Sequence, residues 1–114
     1  MDCVFCKIIA GDIPSMKVYE DKYSYAFADI KPEAPVHILV VPKQHIRSLA
    51  EMGDDDEHRA LLGHLHHATR EIAKAQKLEN GFRVVINTGD DGGQTVDHLH
   101  FHLLGGRAMH WPPG

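Results

Sequence analysis

Apolar and polar positions along the chain fall into patterns that predict its elements. Between Lys17 and Phe27, the residues Val18, Tyr19, Tyr23, Tyr25 and Phe27 flank the polar turn Glu20-Asp21-Lys22, which reads as a β-hairpin. Pro32 and Pro35 then bracket a turn after Asp29-Ile30. The run Val36-His37-Ile38-Leu39-Val40-Val41 predicts a buried strand stopped by Pro42. A helix is predicted from Asp54, an N-cap with Glu57 three residues on as in a capping box. Leu61, Leu62, Leu65, Ala68, Ile72 and Ala73 form its apolar stripe, and Asn80-Gly81 supplies its stop. Phe82 to Ile86 reads as a second buried strand and Thr88 to Gly93 as a Gly/Asp loop. Val96 to Leu104 reads as a third buried strand, ended by Gly105-Gly106. The tail His110-Trp111-Pro112-Pro113-Gly114 can continue neither a helix nor a central strand. With no repeat, linker or low-complexity run, the pattern predicts one domain over 1–114. Its class is α+β: about five mostly antiparallel strands and one main helix.

Size and charge narrow the classes of function. A chain of 114 residues with 43% hydrophobic and 25% charged residues has an ordinary globular composition. It needs no disulfide scaffold to fold. A net charge of -4 argues against a sequence-independent grip on a nucleic acid backbone. The apolar runs are far too short to span a membrane, and the start Met1-Asp2-Cys3 has no signal-peptide pattern. A cytoplasmic location is the resulting expectation. The unusual feature is the count of ten histidines.

Three of them stand in His98-Leu99-His100-Phe101-His102-Leu103-Leu104. On a strand, side chains alternate faces, so Leu99, Phe101 and Leu103 would face a core. The three imidazoles would line the other face, each roughly 7 Å from the next. Imidazole can be nucleophile, general acid or base, or metal ligand, so a three-histidine metal site competes with a catalytic one. Just upstream, Gly92-Gly93-Gln94-Thr95 offers flexible backbone, an amide and a hydroxyl, and glycine-rich turns can cradle an anion.

The His-φ-His-φ-His-φ-φ pattern, with φ apolar, resembles the signature of the histidine triad (HIT) nucleotide-binding family. The resemblance covers nearly the whole chain. Phe5-Cys6-Lys7-Ile8-Ile9, Ile13-Pro14, Asp29-Ile30 and Ala34-Pro35-Val36-His37 are similar to the family's N-terminal half. Asp91 to Thr95 and the ending Gly105 to Gly114 are similar to its Hint branch in particular. The resemblance implies a HIT fold with a further short helix, and a homodimer whose two sheets join into ten strands. It also implies a nucleoside phosphoramidate hydrolase acting on purine compounds and releasing AMP. His100 matches the nucleophile that forms a nucleotidyl-histidine intermediate, and His102 matches a residue that contacts the phosphate. His98 and His37 match histidines that support the nucleophile. Thr95, Gly93, Gln94 and Asn87 fall among the phosphate- and ribose-side positions, and Asp29 matches the acceptor of the ribose hydroxyls. Phe5, Ile8, Phe27, Ile30 and Leu39 match the apolar walls around the base, although each, taken alone, reads more readily as core. Trp111 belongs to a tail that, in this branch, reaches toward the partner subunit.

Two alternatives stay open. One is a dinucleoside polyphosphate hydrolase of the Ap4A type, which uses the same histidine with another leaving group. The other is a purine-nucleotide-binding regulatory or scaffold module. Cys3-Val4-Phe5-Cys6 supplies two thiols, and their spacing suggests redox or metal use. Structural zinc needs four ligands. The resemblance implies that His45 and His98 complete Cys3 and Cys6 around a zinc that serves stability. No Mg²⁺ is expected for the chemistry, because a Mg²⁺ phosphoryl-transfer site needs carboxylates aimed at the phosphates. His58, His64, His66 and His67 read as the polar face of the main helix.

Overall fold

The computed structural model describes residues 2–114. Its elements run α1 (Val4–Ala10), β1 (Lys17–Glu20), β2 (Ser24–Ala28), β3 (Val36–Pro42), α2 (Asp56–Ala75), β4 (Phe82–Val85) and β5 (Phe101–Gly105), with a 3₁₀ turn at Leu49–Glu51. The five strands form one sheet in the order β1-β2-β3-β5-β4, and every pairing is antiparallel. The expected α+β class, the strand number and the two helices are all present.

The period-2 pattern sorts the sheet into two faces. Ala26, Ile38, Val40, Phe101 and Leu103 point to one face, where the α2 stripe Leu61, Leu65, Ala68 and Ile72 covers them. This is the larger core, and burial of these side chains supplies its main stabilisation. On the other face Tyr25, Phe27, Leu39 and Val41 pack under α1 through Phe5 and Ile8. A seven-residue helix cannot cover a five-stranded sheet, so part of this face stays open. The row Phe27–Leu39–His102 crosses it from β2 through β3 to β5.

Four boundaries differ from the sequence expectation. The third buried strand pairs from Phe101, not from Val96. Beyond Val40 its partner runs into Pro42, which has no N–H to give. The chain before Phe101 bonds instead to the loop after β3: Leu99 N–H donates to the Ile46 carbonyl at 2.7 Å. The alternation persists there all the same, with Leu99 in the α2-side core. The helix N-cap is Asp55 rather than Asp54, its carboxylate accepting from His58 N–H. Asp54-Asp55-Asp56 offers three equivalent caps in sequence. The helix ends at Ala75, before Asn80-Gly81. Lys77 turns left-handed at φ 59°, and Leu78 N–H closes back on the Ala73 carbonyl at 3.1 Å. Leu78 can then pack over Gly105, where a Cβ would meet it at 2.7 Å. Finally, β4 stops at Val85, one residue short of Ile86.

Candidate active site and metal cluster

A cavity of about 580 Å³ occupies the open part of the α1 face. Phe5 and Ile8 of α1, Phe27 of β2 and Leu39 of β3 form apolar walls, with Asp29 and Ile30 just past β2. Thr95, His100 and His102 close the β5 end. Nine residues expected at a nucleotide site therefore share one cavity. Pro14, Ser15 and Met16 line it too, with Val4, Ala28 and Val96. These six were not expected. The Ile13-Pro14 dipeptide before the hairpin was the available signal for the first three.

Six expected residues do not line it: His37 and His98 stand behind its histidines, and the other four lie elsewhere. Asn87 is half-buried beyond β4 and does not line the cavity. Trp111 is 82% exposed. The Gly93 and Gln94 amides are spent within their own loop, donating to the Asp90 and Gly89 carbonyls. Tight packing shapes this loop: a Cβ on Gly92 would collide with the Thr88 carbonyl, and Gly93 has a φ of 76°. The Gln94 side chain works as a clasp. Its Nε2 donates to the carbonyls of Arg47 (2.7 Å) and Val96 (3.0 Å), and its Oε1 accepts from Gly89 N–H at 3.0 Å.

Backbone partners assign the histidine tautomers. His100 Nδ1 lies 2.7 Å from the His98 carbonyl, which can only accept. Nδ1 therefore carries the proton, and Nε2 keeps a lone pair. Phe5 packs edge-on to this ring at a centroid distance of 5.2 Å. His37 has the opposite arrangement. Its Nδ1 accepts from Glu33 N–H at 3.0 Å, so Nε2 carries the proton. That N–H donates to His102 Nδ1 at 2.9 Å, with Asp29 Oδ2 a further 3.4 Å neighbour. His102 must then hold its own proton on Nε2. The result is one imidazole with a free lone pair beside one with a free donor, their centroids 4.9 Å apart.

Burial favours the neutral form of His98, His100 and His102. It pushes His102 down to about 4, helped by His100 and His37 and opposed by Asp29. Burial also lowers His98 and His100, against the opposing carbonyl hydrogen bond in each case. At neutral pH these three imidazoles are neutral.

A second cluster lies behind the first. Cys3 Sγ, Cys6 Sγ, His45 Nδ1 and His98 Nδ1 all fall within 4.8 Å of one another. Cys3 Sγ to His98 Nδ1 is 3.2 Å, Cys6 Sγ to His45 Nδ1 is 3.4 Å, and Cys6 Sγ to His98 Nδ1 is 3.6 Å. The two ring nitrogens are 3.2 Å apart. A tetrahedral zinc with ordinary bond lengths requires N···N near ~3.3 Å and N···S near ~3.6 Å. His98 Nε2 donates to the Pro42 carbonyl at 2.9 Å, which leaves its Nδ1 lone pair facing the sulfurs. The four residues therefore fit a zinc ion in donor type and spacing, and His98 fits it in tautomer. Burial, with the adjacent Cys3 thiol, pushes the Cys6 thiol up. Among the described residues, no histidine of α2 belongs to a cluster of this kind.

Comparison with known proteins identifies the family. A family model for the HIT domain matches residues 10–109. The crystal structure of a HIT family hydrolase from Legionella pneumophila superposes with a TM-score of 0.94 at 48% identity, covering 99% of this chain and 100% of that one. A histidine triad nucleotide-binding protein from Candida albicans gives a TM-score of 0.82 at 35% identity, covering 97% and 83%. The 14 kDa zinc-binding protein of Zea mays is 50% identical over 113 residues, which is 97% of this chain and 87% of that protein. The fold is that of a HIT domain. The chain belongs to the HIT domain family.

Proposed function

We propose that this protein is a nucleoside phosphoramidate hydrolase, acting on adenosine 5′-phosphoramidates and aminoacyl-adenylates through a nucleotidyl-histidine intermediate. The observation that carries the reading is the locked His100 ring: with Nδ1 held by the His98 carbonyl, Nε2 is an unprotonated nucleophile on a cavity wall. It attacks the α-phosphorus, and the P–N or P–O bond to the leaving group breaks as the P–Nε2 bond forms. Water then splits the new bond and releases AMP, so one difficult displacement becomes two easier ones. His102 donates its Nε2–H to a phosphoryl oxygen, where negative charge develops. Asp29 accepts from the ribose hydroxyls, and the apolar walls hold the purine. His98 supports the nucleophile with its carbonyl, while its ring belongs to the metal cluster. No Mg²⁺ enters this scheme.

Zinc held by Cys3, Cys6, His45 and His98 is part of the proposal, in keeping with the name of the maize relative. When bound it supplies a structural tie and no Lewis-acid step. Homodimer formation through β4 is a further part. This strand is a free sheet edge with Phe82 and Val84 exposed, and a second copy would extend the sheet to ten strands. Free thiols at Cys3 and Cys6 fit a cytoplasmic location. No helix among the described residues is long and apolar enough to cross a membrane.

The test compares turnover of an adenosine phosphoramidate and diadenosine tetraphosphate by the parent protein and by His100→Ala. The expected result is faster phosphoramidate cleavage by the parent and its loss in the variant. Faster tetraphosphate cleavage would make the protein an Ap4A-type hydrolase. A His100→Ala protein that keeps phosphoramidate turnover overturns the mechanism. One that loses turnover but complements a deletion leaves a nucleotide-binding scaffold.

A further inference from the structure

The polar groups along the cavity are unevenly placed. Thr95, His100 and His102 stand at the β5 end, and Asp29 meets them through His37. From His102 the row runs through Leu39 to Phe27, two strand spacings or about 10 Å away. Phe27 and Met16 wall that end with Ile8, and Phe5 spans from Phe27 to His100. The segment 14–16 lies on the β1 side of β2, where the Met16 carbonyl accepts from Ala28 N–H at 3.0 Å. Ser15 is the one polar side chain lining this end. Its Oγ lies 3.3 Å from the hydroxyl of Tyr25, a ring only 8% exposed.

We infer that Ser15, set by Tyr25, is the specificity-determining residue that reads the far edge of the base, and that it accepts both 6-amino and 6-oxo purines. This rests on the nucleotide reading of the cavity. A phosphate beside His100 and His102 and a ribose on Asp29 put the base over Phe27, with its outer edge toward Ser15. Two hydroxyls share one hydrogen bond in either sense. When Tyr25 O–H donates to Ser15 Oγ, the Ser15 proton is free for a 6-oxo group. When Ser15 O–H donates to the Tyr25 oxygen, a Ser15 lone pair is free for a 6-amino group. An ionised carboxylate, which only accepts, could not reverse its polarity in this way. A base with no substituent at this position leaves Ser15 without a base partner.

Calorimetric titration with AMP, inosine monophosphate and purine riboside 5′-monophosphate tests the inference without any turnover. The parent should bind the first two within about threefold of each other, and both about fivefold more tightly than the third, as one net hydrogen bond allows. In Ser15→Ala the three affinities should converge to within about twofold, and Ser15→Thr should restore the preference. Ser15→Ala that keeps the fivefold preference overturns the inference and leaves the nucleotide reading intact. So does a parent that ignores the C6 substituent. A folded parent that binds none of the three overturns both.

Discussion

The two histidine clusters are built from the same side chain and lie in adjacent parts of one fold, yet they are suited to opposite tasks. In the rear cluster, His98 gives its Nε2–H to the Pro42 carbonyl and so turns a lone pair toward two sulfurs. In the front cluster, His37 takes a backbone N–H on Nδ1 and so turns a proton toward His102. By spacing alone Asp29, His37 and His102 could also hold a metal. The tautomers argue otherwise, because a protonated Nε2 has no lone pair to coordinate. What a histidine can do here is decided by the backbone group behind it: a carbonyl behind one nitrogen makes the other a ligand or nucleophile, and an N–H makes it a donor.

The sharpest break between the clusters is a double dissociation. His100→Ala should lower phosphoramidate kcat by at least about 10³-fold, as loss of a covalent nucleophile does. Its melting temperature should stay within about 5 °C of the parent, because the rear cluster keeps its ligands and the α2-side core is untouched, the packing lost being the ring edge against Phe5. Cys6→Ala, or chelation of the parent, should do the reverse. Melting should fall by about 10 °C or more, as expected on losing a structural metal tie, while kcat stays within a few fold. KM should rise in that case, because α1 carries Cys6 as well as the Phe5 and Ile8 walls of the cavity. Chelation that abolishes kcat without lowering the melting temperature would show the metal to be catalytic and erase the distinction.

A smaller effect tests the tautomer argument directly. Cobalt(II) titrated into apoprotein should give the intense visible bands of a tetrahedral thiolate site and saturate at one equivalent. Cys6→Ala should abolish those bands, and His37→Gln should leave them unchanged. His37→Ala should also leave the bands unchanged but lower kcat by about tenfold, because His102 then loses the donor that fixes its proton on Nε2. A second cobalt equivalent lost with His37→Gln would mean that the front cluster is also a metal site.

Much of this contrast was legible in the chain, for a physical reason. A period of two depends on the strand alone, so His98, His100 and His102 separate from Leu99, Phe101 and Leu103 even though pairing begins at Phe101. The Cys3/Cys6 spacing is likewise local, being one turn of α1. What stayed hidden depends on which backbone group each side chain meets, most of them far along the chain. The carbonyls behind His98 and His100 belong to Pro42 and to His98 itself, and the spacing of the triad carries no trace of either. The strand start was misplaced because Leu99 finds Ile46 rather than β3. Gln94 looked available to a ligand, but its amide bonds across to Arg47 and Val96. The cavity floor at Pro14 to Met16 sits beside Ala28 only after the hairpin has formed.

The smallest expected effect concerns acid. His102 is held down to about 4 in the fold, first by burial and then by His100 and His37, against an ordinary value of about 6.5. Between those two values the unfolded chain binds more protons at this position than the folded one, so stability rises with pH across the window. The contribution is fully present above about 6.5 and is lost as pH falls toward 4. On the metal-free Cys6→Ala protein, which removes any effect of zinc release, the melting temperature should fall by about 5 °C from pH 7 to pH 5. In the same background His102→Gln should flatten that slope, since glutamine does not titrate, with the residual slope coming from the other buried imidazoles. An unchanged slope would mean that His102 titrates alike in the folded and unfolded chains, and that the front cluster is not the neutral, donor-fixed counterpart of the rear one.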